Sequence, residues 1–125
     1  MSQSTIMIAE AYYKAMGEKN VAAVGKYLHP DVQFVAPLGK MSGKEAVLEG
    51  AKKFTILFKA LKIRSTFGSQ DQAMVVYDLE CPVPIGSFST AVLMSFQEGL
   101  VSKIELFFDA RPFETKKEQL PSFAN

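Results

Sequence analysis

Along the first half of the chain, apolar residues recur every three or four positions. Along the second half they alternate with polar ones. The first pattern belongs to helices with one buried stripe, the second to strands with one buried face. Ile8, Ala11, Tyr12, Ala15 and Met16 share a helical stripe. Ser4 or Thr5 is placed to cap that helix and Gly17 to end it. Asn20 is a second N-cap candidate ahead of Val21, Val24 and Leu28, with Pro30 as the stop. The run VQFVA predicts a short strand, and SGKEAVLEGAKKFTILF a third helix. There Ser42 and Glu45 stand at capping-box spacing. Four alternating runs follow: ALKIRSTFG, QAMVVYDLEC, SFSTAVLMSFQ and VSKIELFFD. They are broken at Gly68-Ser69, at PVPIG and at a Glu-Gly pair, and strands this close in sequence pair antiparallel. Helices first and a meander of strands after them predict an α+β fold. Its curved sheet wraps the N-terminal helices and leaves a cone with an open end.

Composition narrows the function classes. The 125 residues, 1–125, fit one domain, with no internal repeat or linker. Hydrophobic residues at 48% suffice for one substantial core. Lys and Arg number 14 against 13 Asp and Glu, so the electrostatic surplus of a nucleic-acid binder is missing. One cysteine, Cys81, and one histidine, His29, exclude an internal disulfide and a Cys- or His-rich metal centre. Neither GLVSK nor PLGKMSGK has phosphate-loop spacing, and no cofactor is expected. No apolar run approaches the ~20 residues of a membrane span, and no basic-then-apolar leader opens the chain. A cytoplasmic protein without nucleic-acid or membrane partners is the expectation. The last stretch, RPFETKKEQLPSFAN at 111–125, interleaves charges with Phe113, Leu120 and Phe123. It reads as a lid on the pocket mouth, a dimer contact or a disordered end.

The order helix, helix, LHPDV strand, PLG, SGKEAV helix and four long strands ending in GLVSKIELFFD resembles the nuclear transport factor 2-like superfamily. More narrowly it is similar to the SnoaL-like branch, the relatives of ketosteroid isomerase and of polyketide cyclases. The resemblance runs from about Ile6 to Phe113. It implies an apolar pocket inside the cone and a homodimer formed through the outer sheet face. It does not fix an activity, because one fold hosts many chemistries.

The chemistry of that family transfers only in part. The isomerase-type base stands before the proline of the loop after the first strand, and here that residue is Ala36. The matching oxyanion-binding acid position is Val92; only the helix-one tyrosine, Tyr12, is retained. Ketosteroid-type isomerisation is therefore not expected. Phe107–Asp109 with Arg111 is similar to the last strand of limonene-epoxide-hydrolase-like members, without the rest of their relay.

The resemblance places Met74, Val76, Asp78 and Glu80 on the inner face of their strand. Phe88, Thr90, Val92, Met94 and Phe96 share that face on the next strand, and Ile104, Leu106 and Phe108 on the last. Phe34, Phe54 and Phe58 complete the expected pocket. Asp78 then sits among apolar neighbours, where desolvation raises a carboxyl pKa and suits it to acid–base work. Tyr12 is the expected hydrogen-bond donor beside it, and Glu80 sits near the rim. A slip of one residue reverses this. It buries the more hydrophobic set Val75, Tyr77, Leu79 and Cys81 and sends Asp78 outward. The outer face, with Val101, Lys103, Glu105 and Phe107, is read as a sheet surface or dimer face, and Val75, Tyr77, Leu79, Ala91, Leu93 and Phe107 as the apolar patch of a homodimer.

Other side chains carry milder readings. His29 and Asp31 belong to a turn, and Cys81 reads as a packed thiol. Tyr12 and Tyr13 are adjacent and are expected on different helix faces, one inside and one at the surface. Two functions remain open. One is a pocket protein acting on a small, largely apolar molecule through Asp78 and Tyr12. The other is a non-catalytic ligand-binding or dimerisation module. A buried carboxylate facing the cavity favours the first, its absence the second.

Overall fold

The computed structural model describes residues 2–37 and 39–109, with the side chains of residues 2–4 excepted. The 111–125 segment therefore lies outside the described residues. Three helices, α1 (Ser2–Gly17), α2 (Val21–Gly25) and α3 (Lys44–Leu57), precede or interrupt six strands. These are β1 (Leu28–Ala36), β2 (Gly39–Ser42), β3 (Ala60–Gly68), β4 (Gln72–Glu80), β5 (Ser87–Gln97) and β6 (Leu100–Phe107). They form one sheet in the order β2-β1-β6-β5-β4-β3. Every pairing is antiparallel except β1 with β6, which is parallel. The α+β cone is the fold that the periodicity predicts.

Local chemistry explains most element ends. Asn20 caps α2 through its side-chain oxygen, which accepts from the Ala23 amide at 3.1 Å. The capping box at α3 does not form. Gly43, at φ 91°, is the N-cap and offers no side chain, while the Ser42 hydroxyl bonds Gln33 Oε1 at 2.9 Å. Ser42 ends the edge strand β2, so its side chain is spent across the ladder rather than on the helix. Helix α1 starts at Ser2, upstream of the Ser4 or Thr5 cap that the sequence suggests. Thr5 lies inside the helix, and its hydroxyl donates to the Ser69 carbonyl at 2.7 Å.

The core lies between the concave sheet face and the helices. Helix α1 packs on β3 and β4 and touches α2 and α3. Both adjacent tyrosines are therefore covered, Tyr12 at 2% and Tyr13 at 3% exposure. The expectation that one faces solvent is corrected: both rings lie beneath α1, with Tyr13 against Tyr12 and against Tyr77 of β4.

Strand register corrects two further expectations. In β4 the inward residues are Val75, Tyr77 and Leu79, all buried. Val76, Asp78 and Glu80 face outward. The hairpin explains this: β4 and β5 end on the pair Glu80↔Ser87, which encloses the even-length loop 81–86. Odd residues of β4 therefore pair with even residues of β5, as in Val75↔Val92 and Tyr77↔Thr90. The inward set of β5 is as expected. Thr90, Val92 and Met94 are buried, so their partners must be the odd residues of β4. Finally, Val101 is fully buried although period two puts it outside with Lys103 and Glu105. An irregularity at Ser95/Phe96, where Phe96 pairs with Val101 and Ser95 with Lys103, turns it inward.

Candidate ligand cavity

Between α1, α3 and the concave sheet lies a partly open cavity of about 70 Å³. From α1 it is lined by Tyr12, Tyr13 and Met16. From α3 come Val47, Gly50, Ala51, Phe54 and Leu57. The sheet supplies Phe34, Ala36, Met41, Tyr77, Leu79, Phe88, Thr90 and Leu106, and Phe108 closes the far side just beyond β6. Phe88 and Phe108 meet at 5.8 Å between ring centroids.

The wall is apolar apart from four hydroxyls: Tyr12, Tyr13, Tyr77 and Thr90. Tyr13 meets Tyr12 edge to face and lies tilted against Tyr77, each at 4.8 Å between centroids. The hydroxyl of Tyr77 faces those of Tyr13 and Thr90. Thr90 stands close enough to favour the Tyr77 oxygen electrostatically, yet its Oγ1 reaches no hydrogen bond of good geometry. Burial, first of all, pushes the three phenols well above their ordinary pKa. They stay neutral at any physiological pH, so they can donate a hydrogen bond and cannot serve as bases.

Of the expected pocket residues, Tyr12, Phe34, Phe54, Phe88, Thr90, Leu106 and Phe108 line this space. Phe58, Val92, Met94 and Ile104 are buried at 1% exposure or less, but within the core rather than on the cavity wall. Phe58 packs on Phe54 at 4.9 Å, and Lys19 Nζ lies over its ring. Lys19 also bonds the Phe58 carbonyl at 2.7 Å, which ties off the end of α3.

Asp78 is not in the cavity. Its side chain is 46% exposed on the outer face, with Arg64 Nη1 at 3.6 Å. Ser89, its cross-strand partner, donates a 2.7 Å hydrogen bond to Oδ1. Val76 and Glu80 share that face, so none of the three contributes to the pocket. An exposed pair of this kind contributes at most about 1 kcal/mol. Ala36 does line the cavity. The position of the isomerase-type base thus faces the pocket, and it carries a methyl group.

The residues missed from sequence are Tyr13, Met16, Ala36, Met41, Val47, Gly50, Ala51, Leu57, Tyr77 and Leu79. For Tyr77 and Leu79 a signal existed, because the odd residues of β4 are the more hydrophobic set. Met41 and Gly50 carried none, since β2 is a four-residue edge strand that periodicity does not resolve. Among the described residues, no group of three or more His, Cys, Asp or Glu could hold a metal ion, and no helix is long and apolar enough to cross a membrane.

A protein from Kribbella flavida has a crystal structure similar to this one, with a TM-score of 0.85 at 23% identity over 94% of this chain and 97% of that one. An NTF2-like protein of unknown function from Cytophaga hutchinsonii superposes with a TM-score of 0.75 at 21% identity, over 85% of this chain and 90% of the other. An LEH-like epoxide hydrolase of M. tuberculosis gives 0.77 at 11% identity, over 94% and 92%. At such identities the likeness is one of fold. No curated protein matches the chain in sequence. The family model of the SnoaL-like domain matches residues 9–104, from the middle of the tyrosine-bearing helix α1 to Ile104 on β6, and the chain belongs to that family.

Proposed function

We propose that the protein binds a small, neutral, largely apolar molecule in the cone cavity, and that it does so without acid–base chemistry. One observation carries this reading. Among the described residues, the cavity wall holds no carboxylate and no imidazole, and its only titratable groups are phenols held neutral by burial. A wall of that kind desolvates and orients a ligand; it has nothing to take a proton with.

Size narrows the ligand. The space of about 70 Å³ is below the ~150 Å³ of an apolar cavity that admits benzene. A ring of five or six atoms enters once Met16, Met41 or Phe54 shifts, and methionine is the side chain best suited to yield. A rigid polycycle needs a site of several hundred Å³ and does not fit this wall. The experiment is a calorimetric titration with methylcyclopentane at pH 5, 7 and 9. Saturable binding of equal affinity at the three pH values supports the reading. Absence of saturation, or an affinity that follows a titration between pH 5 and 9, contradicts it.

The family resemblance read from the sequence, which implies a homodimer, and the outer sheet face support a second proposal, a homodimer. On the convex face the row Phe67–Met74–Leu93 crosses β3 to β5 and ends at Glu105 of β6, and the row Val76–Ala91–Phe107 crosses β4 to β6 from Ser65 of β3. Phe67 and Phe107 are 60% and 51% exposed. A contiguous apolar surface of this kind suits a second copy of the chain. This face replaces the one expected from sequence, because Val75, Tyr77 and Leu79 are inside. A single free, buried cysteine fits a reducing compartment, and we place the protein in the cytoplasm.

A further inference from the structure

Thr90 poses a problem of hydrogen-bond counting. The residue is 3% exposed and lines the cavity, and its Oγ1, although it faces the Tyr77 hydroxyl, makes no hydrogen bond of good geometry. A buried polar group left unmade is costly, so the site is incomplete as it stands. The neighbours of Thr90 are hydroxyls too: Tyr77 across the strand pair, then Tyr13 against Tyr77. Each hydroxyl brings one proton and also accepts. An open chain of hydroxyls therefore has one bond fewer than it has protons. Whatever the direction of the chain, one proton is left over. Among the described residues no carboxylate, imidazole or side-chain amide lines the cavity to receive it.

We propose that the ligand supplies the missing acceptor: a neutral molecule whose one polar group accepts a hydrogen bond and donates none, seated on the Tyr77–Thr90 hydroxyls. A carbonyl or ether oxygen qualifies. An alcohol does not, because it adds one acceptor together with one more proton and the surplus persists. A carboxylate accepts, but it buries a charge against a wall with no cation among the described residues. The inference rests on the cavity being a binding site, and it adds which polar group the ligand carries and where that group sits.

Three probes of similar shape test it: methylcyclopentane, cyclopentanol and cyclopentanone. Each is titrated calorimetrically into the wild-type protein, Thr90→Val and Tyr77→Phe. Cyclopentanone is expected to bind about tenfold tighter than cyclopentanol to the wild type, the worth of roughly one hydrogen bond. Both variants should lose that preference, and a wild-type far-ultraviolet spectrum with cooperative urea unfolding shows that they are folded. Equal affinity for ketone and alcohol in the wild type overturns the proposal alone, and so does a preference that survives Thr90→Val. If none of the probes binds the wild type, the cavity reading falls and this proposal falls with it. If Tyr77→Phe does not fold, Thr90→Val decides the matter by itself, because valine keeps the volume and exchanges the hydroxyl for a methyl group.

Discussion

Asp78 and Thr90 lie on the neighbouring strands β4 and β5, on opposite faces of the sheet, and the difference decides what each can do. Asp78 is solvated and paired with Ser89 and Arg64. Replacing it with Asn should alter stability by no more than about 0.5 kcal/mol in urea denaturation and leave ligand affinity unchanged. A loss of binding there would return the acid to the site. The phenols make a prediction about alkaline pH. Tyr12, Tyr13 and Tyr77 have folded pKa values raised above the unfolded value by desolvation. Their contribution to stability is fully present below about pH 10, the ordinary tyrosine value, and is lost as pH rises above it, because the unfolded chain then ionises first. Absorbance at 295 nm should therefore show these three ionising together with loss of the fold. Reversible ionisation near pH 10 with the fold intact would mean that they are solvated.

At the scale of elements, helices and strands were legible because each is long enough to show its period. The four C-terminal strands begin and end within a few residues of the breaks that Gly68-Ser69, PVPIG and Glu-Gly mark. Register was not legible. Which face of β4 points inward depends on whether its hairpin loop holds an even or an odd number of residues, and composition does not count them. The resemblance pointed the wrong way there, while the hydrophobicity of Val75, Tyr77 and Leu79 pointed the right way. The bulge that turns Val101 inward is also invisible to period two. Helix α3 carries a choice of its own at Gly50. Glycine inside a helix costs about 1 kcal/mol relative to alanine. A Cβ at Gly50, however, would lie 2.8 Å from Met41 Cε and 2.9 Å from Sδ. Gly50 gives up helix propensity to seat the methionine that walls the cavity. In Gly50→Ala the propensity gain and the displacement of a flexible side chain oppose each other, so stability should stay within about 1 kcal/mol of wild type. Methylcyclopentane affinity should fall several-fold, because Met41 is pushed into the space. Unchanged affinity would show that Met41 does not bound the site.

At the scale of the molecule, one sheet separates two surfaces of different use. The convex face carries the apolar rows proposed as the dimer contact. Leu93→Lys, at their centre, should convert a sedimenting dimer to a monomer while leaving the far-ultraviolet spectrum intact. A wild type that sediments as a monomer at micromolar concentration would remove the dimer reading. The concave face holds the cavity, and the central claim is that this cavity takes a small neutral ligand. Methionine methyl groups report on both faces: Met16 and Met41 line the cavity, and Met74 lies on the convex side. The direct measurement is an NMR titration of 13C-methyl-methionine protein with cyclopentanone. The account predicts saturable shifts of the Met16 and Met41 methyl signals at one common affinity, with Met74 unmoved. Shifts confined to Met74, or linear drift of every signal without saturation, would contradict it.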